Sequence, residues 1–280
     1  MAALATGLPL PPAAPLLIVL MDVSNTFEAH ELSNPLFVTL TAIQLLLAWA
    51  VLCAGATLQG SIGFGLGVVG APLLVLIAPG LVPGPLLFDA LVLAVLMVYR
   101  EHRSIHLSGL GWALAGRAVG VAVAAGMLAL MPTDRLGLAI GAAVLLVVAI
   151  NASGLRVRPG TGSLIMAGML SGLTGTISSI GGPPMALLYQ DAAGARLRST
   201  LSGYFMVGAI MSLVALALVG RFGMAELRLG ALLLPGVIVG FVLSSHVAAV
   251  ADRASATRVL VLTVSATAGV AVILRQLLAG

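Results

Sequence analysis

Charged side chains are scarce in this chain of 280 residues. Only 8% of the residues are Asp, Glu, Lys or Arg, whereas 60% are hydrophobic, and the mean hydropathy is +1.19. Soluble domains carry about 25% charged residues, so this composition excludes a soluble domain. Because a membrane-spanning helix needs about 20 apolar residues, the length allows about eight to ten membrane segments and almost nothing outside the membrane.

Lysine and clustered metal ligands are also missing, and cysteine occurs once. All 13 basic residues are Arg, which we attribute to genome composition. The single Cys53 excludes an intramolecular disulfide and is predicted to pack as a small hydrophobe. The four histidines show no ligand spacing with cysteine or acidic residues, and no nucleotide-binding motif occurs. We therefore expect no metal, no other cofactor and no ATP hydrolysis by this chain.

The net charge of +4 and the pI of about 10.2 would suggest a nucleic-acid partner if the protein were soluble. Here the arginines lie in short segments between apolar runs, where they act as topology determinants. The expected partners are therefore membrane lipid and a small solute, without nucleic acid. The sequence leaves open whether the chain forms a homo-oligomer.

Two stretches rich in glycine and proline interrupt the apolar runs: residues 60–72 (GSIGFGLGVVGAP) and residues 172–184 (GLTGTISSIGGPP). In lipid, a helix break is tolerated only where protein or a cavity satisfies the freed backbone groups. Paired breaks in the two halves of a transporter point to its binding site. At a spacing of 112 residues four positions coincide, which suggests an internal duplication: Gly60 with Gly172, Gly63 with Gly175, Gly70 with Gly182, and Pro72 with Pro184.

The sequence predicts an N-terminal extension without assigned structure (1–35) and two transmembrane repeats (36–151 and 162–279). In each repeat a long and a short apolar run flank the break as a broken helix or re-entrant hairpin, and three transmembrane helices follow. The fold class is therefore an all-α polytopic membrane protein. The predicted helices cover residues 36–58, 68–78, 86–99, 109–131 and 135–150, and then 162–176, 185–190, 197–219, 229–250 and 257–278.

Glycine pairs also correspond between the repeats. Gly116 and Gly120 match Gly236 and Gly240 at a spacing of 120 residues. Both pairs have the GxxxG spacing, which lets neighbouring helices approach closely in membranes. We therefore predict that these glycines serve helix packing.

Two hairpins separated by three crossings place the second repeat upside down relative to the first. In this topology eight arginines share one face of the membrane and four the other, whereas the counts are seven and five if each broken element crosses. Basic residues favour the cytoplasmic side, so the first topology is preferred. It predicts two inverted repeats, with both termini outside.

The breaks carry groups that suit a small anion. The N-terminus of a half-helix presents unpaired N–H groups and a partial positive charge, and glycine lets the backbone approach a ligand. A cation would call for acidic side chains instead. The alternative is that these residues only permit tight packing and satisfy a bent backbone. The neutral hydrogen-bonding side chains at the breaks are Gln59, Ser61, Thr174, Thr176, Ser178 and Ser179.

Two charged residues, Asp89 and Arg117, fall within predicted transmembrane helices. A charge at the centre of such a helix costs roughly 2.5–3.5 kcal/mol on insertion scales, so each needs an explanation. Either the two side chains pair, or Arg117 binds the anion while Asp89 relays a proton. Two structural alternatives stay open: Arg117 snorkels to the membrane interface, and Asp89 caps its helix.

Residues 58–74 (LQGSIGFGLGVVGAPLL) and 171–188 (SGLTGTISSIGGPPMALL) resemble the TauE/SafE sulfite exporter family of bacterial membrane permeases. The glycine-rich pattern before Ala-Pro in the first stretch and Gly-Gly-Pro-Pro in the second carry the resemblance. It implies a permease, not an enzyme, that moves small sulfur-containing or organic anions such as sulfite or sulfonates across the inner membrane. The site residues that it implies are Gly63, Gly65, Gly181, Gly182 and Pro183.

The leading hypothesis is a secondary transporter for a small anion, in which two inverted halves rock around a central site. The rivals are an intramembrane enzyme and a non-transporting membrane scaffold. The sequence contains neither an HExxH motif nor a nucleophilic serine motif with a partner histidine, so an enzyme has little support. Basic loop residues such as Arg100 and Arg198 are predicted to set topology.

Overall fold

The computed structural model describes residues 40–101, 109–132, 135–153, 157–189, 194–251 and 270. Nine α-helices lie in these ranges, and their ends differ from the predicted ones by a few residues. The predicted extension (1–35) and nearly all of the last predicted helix (257–278) lie outside the described residues. The helices are α1 Ala42–Ile62, α2 Leu66–Ile77, α3 Gly84–Glu101, α4 Leu110–Leu130, α5 Leu136–Ala152, α6 Thr161–Ser178, α7 Gly182–Leu188, α8 Gly194–Leu218 and α9 Met224–Ala251.

Five helices, α1, α3, α4, α8 and α9, are long and apolar enough to cross a membrane. Large hydrophobic side chains cover their outer surfaces, and Ile43, Leu130 and Leu218 are among the most exposed. Exposure of apolar area to water costs about 25 cal/mol per Å², whereas lipid tails solvate it. The prediction of an all-α polytopic membrane protein is therefore confirmed, and the described ranges contain no strand.

The first two helices, α1 and α2, form a hairpin. Thr41 caps α1, and the Gln44 amide both accepts from the Thr41 N–H and donates to the carbonyl oxygen of Ile77 (3.2 Å). The start of α1 and the end of α2 therefore lie side by side, which confirms the predicted hairpin. Between the helices, Gly63 and Gly65 have φ angles of 97° and 149°, in a region that favours glycine.

Helices α6 and α7 form a second hairpin. Ser179 ends α6 with a left-handed φ of 61°. Two hydroxyl groups of α6 hold the turn: Ser171 Oγ donates to the carbonyl oxygen of Gly181 (2.6 Å), and Thr174 Oγ1 donates to that of Ile180 (2.7 Å). The end of α7 then packs in the same buried cluster as the start of α6, so this short helix returns along the longer one.

The two breaks correspond at a different spacing from the predicted one. The spacing of 112 pairs Gly63 with Gly175, but Gly175 lies inside α6. In the structure Gly63 corresponds to Ser179, 116 residues later, because each is the left-handed residue that ends the first helix of its hairpin. Gly60 and Gly172 likewise lie inside helices. The alignment was wrong because a chain with 34 glycines yields glycine matches by chance.

Glycine pairs bring α4 close to α6, and α9 close to α1. Gly116 and Gly120 lie against backbone carbonyl oxygens of α6, while Gly236 and Gly240 lie against those of α1. A Cβ at any of these four positions would overlap the neighbouring backbone. The predicted packing role of the two GxxxG pairs is therefore confirmed. Helix α3 completes the arrangement by packing against both α8 and α9.

We expect Gly120→Leu to destabilise the fold by roughly 1–3 kcal/mol or more. The added side chain would overlap the backbone of α6, which cannot move aside as a flexible side chain can. Gly126, in the same helix as Gly120, is the matched control, since nothing lies within 4 Å of a Cβ at this position. Thermal unfolding in detergent, monitored by size-exclusion chromatography, should give a lower midpoint for Gly120→Leu and a wild-type midpoint for Gly126→Leu. Equal midpoints for the two variants would contradict the packing role.

Candidate functional site

A cavity of about 40 Å³ lies where the two hairpin turns meet α3, α4 and α8. An ordered water needs roughly 10–15 Å³ of such space, so the cavity has room for a solute of a few atoms. Both breaks contribute to its wall, through Phe64 and Gly65 of the first and Ile180 and Gly181 of the second. Arg117 is the one charged residue in that wall.

The two hairpin turns touch each other because glycine leaves room for them. A Cβ on Gly67, in the first turn of α2, would overlap the carbonyl oxygen of Ser179. A Cβ on Gly182 would lie 2.8 Å from the Cβ of Phe64, closer than carbon atoms pack. The structure thus brings together the two breaks that the sequence paired, and each supplies one side of the cavity.

The guanidinium group of Arg117 is buried at the cavity without a counter-ion. The residue is 3% exposed. Its NH1 donates to Ser171 Oγ (3.0 Å), and its Cζ lies 4.9 Å from the centre of the Tyr204 ring. Its Nε has no hydrogen-bond partner, and within the described ranges no carboxylate forms an ion pair with it. A buried guanidinium group with a free N–H group and no ion pair can bind an anion.

Neighbouring glycines fix the position of that guanidinium group. A Cβ on Gly208 of α8 would overlap the Nε and Cζ atoms of Arg117, and a Cβ on Gly181 would lie 3.1 Å from its NH1. The GxxxG contact between α4 and α6 places Arg117 beside Ser171, whose hydroxyl group also donates to Gly181. Backbone on two sides and the Tyr204 ring therefore enclose the guanidinium plane.

Asp89 is the second charged residue within the transmembrane helices, and it is fully buried in α3. In the ranges that the structure describes, neither of its carboxylate oxygens has a hydrogen-bond partner. It forms no ion pair with Arg117, so the hypothesis that the two side chains pair is wrong. Asp89 does not line the cavity, but its neighbours Leu87 and Ala90 do. The snorkelling and capping alternatives fail as well, because both side chains are buried inside helices.

The N-termini of the two short helices contribute less than the sequence suggested. The N–H of Leu66, which begins α2, donates to Gln59 Oε1 (3.2 Å). Helix α7 begins with Gly182, Pro183 and Pro184, and proline has no N–H to donate. The positive charge at the cavity therefore comes mainly from the side chain of Arg117.

Six of the twelve predicted anion-binding residues line the cavity: Gln59, Gly65, Arg117, Ser179, Gly181 and Gly182.

The other six predicted residues lie elsewhere, and among them Thr174 Oγ1 donates to the carbonyl oxygens of Leu170 and Ile180. Ser61 Oγ donates to Thr57 O and Ser244 O, and Ser178 Oγ donates to Thr174 O, so these hydroxyls satisfy helix carbonyl groups. Thr176 Oγ1 lies 2.9 Å from Ser212 Oγ and links α6 to α8. Two further residues are outside the wall of the cavity, in or beside the hairpin turns: Gly63 and Pro183.

Three residues at the site were missed in the sequence. Ser171 and Gly208 position Arg117, and Phe205 adds an apolar wall. A hydroxyl group in an otherwise apolar run was a usable signal for Ser171. Gly208 gave no signal, because nothing in a glycine-rich apolar helix distinguishes the glycine that faces a distant arginine.

The model of one protein family, described as sulfite exporter TauE/SafE, matches residues 45–272. Searches of curated proteins and of solved structures return no significant match. The match spans both hairpins and all nine described helices except the first residues of α1. The chain therefore belongs to the TauE/SafE sulfite exporter family, whose members are membrane transporters and not enzymes.

Proposed function

We propose that this protein is a secondary transporter that moves a small sulfur-containing or organic anion, such as sulfite or an organosulfonate, through the cavity between the hairpins. The observation that carries the proposal is the buried guanidinium group of Arg117, which forms no ion pair with any described residue. Burial of a charge without a partner costs several kcal/mol. A transported anion offsets that cost during the part of the cycle in which it occupies the cavity.

The other groups at the cavity suit an oxyanion. A guanidinium group binds two oxygens of one anion through parallel N–H bonds. The Gln59 amide and the Ser179 hydroxyl add neutral polar groups, and the backbone of Gly181 and Gly182 approaches closely. Phe205 provides an apolar surface for the carbon chain of a sulfonate. We assign these residues to substrate binding together with Gly65.

We further propose two inverted repeats, which allow alternating access by rocking of one half against the other. Helix α1 runs beside α9 in the same direction, because Trp49 contacts Gly236 and Cys53 contacts Gly240. Helix α6 runs beside α4 in the same direction, through the contacts of Ile165 and Met169 with the glycines of α4. The first helix of each hairpin thus packs on the other half.

The directions of α4 and α9 support the inversion. Arg221, just before α9, donates to the carbonyl oxygens of Leu128 and Met131 at the end of α4. At the opposite end, Arg100 of α3 donates to Ser244 near the end of α9. Helices α4 and α9 therefore run in opposite directions, and so do α1 and α6. We call the two ends of the bundle the Arg221 end and the Arg100 end.

We assign proton coupling to Asp89. We also propose that the protein lies in the bacterial inner membrane. A buried carboxyl group takes up a proton at lower cost than it stays charged, and Asp89 lies one residue from the cavity wall. The arginine count of the loops supports a cytoplasmic Arg100 end and periplasmic termini. Substrate transport would then draw on the proton gradient.

Transport of labelled sulfite into proteoliposomes tests the proposal. The wild-type protein should give saturable uptake that organosulfonates inhibit and that a proton gradient stimulates. Asp89→Asn should retain sulfite exchange but lose the stimulation. Flux no greater than in protein-free liposomes would reject the transporter and favour a membrane scaffold. Stimulation that persists in Asp89→Asn would reject only the coupling role.

A further inference from the structure

Two arginines and one glutamate form a charged cluster at the turn of the first hairpin, away from Arg117. Glu101 Oε1 accepts from Arg198 Nε (3.0 Å) and from Arg100 NH2 (3.3 Å). The side chains of Glu101 and Arg198 are 12% and 13% exposed, and that of Arg100 is 25% exposed. The cluster therefore joins α3 to α8 in a region that is only partly open.

The same arginines bind the end of α1. Arg100 NH2 donates to the carbonyl oxygen of Gly60 (2.7 Å), and Arg198 NH1 donates to that of Ser61 (3.4 Å). Cations are favoured there, because the last carbonyl groups of a helix lack intrahelical partners and carry a partial negative charge. The cluster thus fixes the last turn of α1 to α3 and α8.

The cluster lies next to the wall of the cavity along the chain and in space. A Cβ on Gly63 would lie 3.3 Å from the Cα of Arg198. The next two residues, Phe64 and Gly65, line the cavity. Arg100 and Arg198 therefore hold the hairpin turn whose next residues form part of the cavity wall.

Glu101 pairs with both arginines through only one of its two carboxylate oxygens. Two guanidinium groups share one of its oxygens, while its Oε2 is buried and has no hydrogen-bond partner among the described residues. The cluster retains one net positive charge, and a carboxylate is itself an oxyanion. A free oxyanion with two or three acceptor oxygens can replace it and accept from both guanidinium groups through different oxygens.

We propose that Arg100 and Arg198 form a second anion site on the transport path, and that the Glu101 carboxylate occupies it in this conformation. The proposal rests on the transport function proposed above and adds a second anion-binding site at the Arg100 end. The transported oxyanion displaces Glu101 from the arginines, which frees the turn of the first hairpin to move. Glu101 returns when the anion leaves.

The turn of the second hairpin has no equivalent cluster in the part of the chain that the structure describes. Ser179 Oγ donates to Pro83 O (3.1 Å), and Thr176 bonds to Ser212. These are hydrogen bonds between neutral groups, and both described ion pairs belong to Glu101. Within the described residues the two hairpin turns therefore differ, because both ion pairs lie at the turn of the first hairpin.

Charge-selective labelling of the cavity tests this site without relying on transport. In a Cys53→Ser background, Ala90→Cys places a single reporter thiol in the cavity wall. Anionic sulfonatoethyl methanethiosulfonate and its cationic trimethylammonium analogue are applied to right-side-out and inside-out vesicles. With Glu101→Gln, the ratio of anionic to cationic labelling rates should rise roughly tenfold from the Arg100 end. With Arg198→Gln, the ratio should fall.

Arg221→Gln is the matched control, because Arg221 also binds helix carbonyl groups but lies at the opposite end. It should leave the ratio from the Arg100 end unchanged. If both cluster variants speed up both reagents equally, the cluster is only a structural tie and the proposal is wrong. An unchanged ratio also overturns it. Failure of the wild-type protein to transport sulfite would instead reject the proposed function, whatever the labelling shows.

Discussion

Arg117→Gln is expected to reduce sulfite transport at low substrate concentration by about 30-fold or more. Removing one partner of a buried, hydrogen-bonded charge pair costs about 2–5 kcal/mol, and each 1.4 kcal/mol is about tenfold in affinity. In the proposed function the pair forms between the substrate and Arg117, which has no other counter-ion in the described part of the chain. Glutamine retains hydrogen-bond donors but neither the charge nor the planar fork.

The measurement is the initial rate of labelled sulfite uptake into proteoliposomes with matched protein content. Arg117→Lys should fall between the wild type and Arg117→Gln, because it keeps the charge but loses two-point binding. Arg221→Gln removes an arginine that binds carbonyl groups of α4 and should transport at the wild-type rate. Wild-type uptake by Arg117→Gln would exclude Arg117 from the mechanism.

The same variant separates a functional role from a structural one. Because the buried guanidinium group has no counter-ion among the described residues, its neutral replacement should leave the midpoint of thermal unfolding unchanged or raise it in the absence of anion. Sulfite should raise the midpoint of the wild-type protein by binding its native state. Arg117→Gln should lose that shift. A variant that unfolds at a much lower temperature would instead indicate that Arg117 mainly supports packing.

Hydropathy and helix-packing physics predicted most of the fold. Apolar runs of more than about 18 residues have few alternatives to a transmembrane helix, and the described helices follow the predicted order. The GxxxG pairs, Gly116 with Gly120 and Gly236 with Gly240, predicted close contacts because only glycine permits backbone to touch backbone. Whether the two halves form independent repeats depends on residues 252–269 and 271–280 as well, and that division stays a prediction.

The register of the two breaks did not follow from glycine matches. A left-handed residue ends the first helix of each hairpin, but Gly63 does so in the first hairpin and Ser179 in the second. Serine adopts this conformation at a cost, which its hydrogen bond to Pro83 helps to offset. Chain geometry and not residue identity therefore defined the correspondence, and a search for paired glycines could not find it.

The residues of the candidate site could be predicted from the sequence only in part, for a similar reason. Arg117 was recognised because an intramembrane charge is costly wherever it lies. Arg100 and Arg198 were interpreted as topology determinants, since their sequence positions near helix ends fit that role equally well. Their bonds to Glu101 and to the end of α1 became evident only from the fold. Contacts between residues about 100 positions apart leave no trace in a single sequence.

Gly208→Ala is expected to reduce sulfite transport by about tenfold or more while leaving the charge of Arg117 in place. The added methyl group would occupy the position of the guanidinium Nε and Cζ atoms, so the side chain of Arg117 must move. A displacement of about 1 Å at a binding or reacting group can cost about 100-fold in rate. The fold should tolerate the change, because the displaced atoms belong to a flexible side chain and alanine favours a helix by about 1 kcal/mol.

Gly203→Ala provides the control within the same helix, since nothing lies within 4 Å of a Cβ at Gly203. It should transport like the wild type, whereas Gly208→Ala should not. The double variant Arg117→Gln/Gly208→Ala should transport no worse than Arg117→Gln, because both changes act on the same guanidinium group and their effects cannot add. If the two losses multiply instead, Gly208→Ala reduces transport by a route that does not involve Arg117. Gly208 would then not act by fixing the position of the guanidinium group.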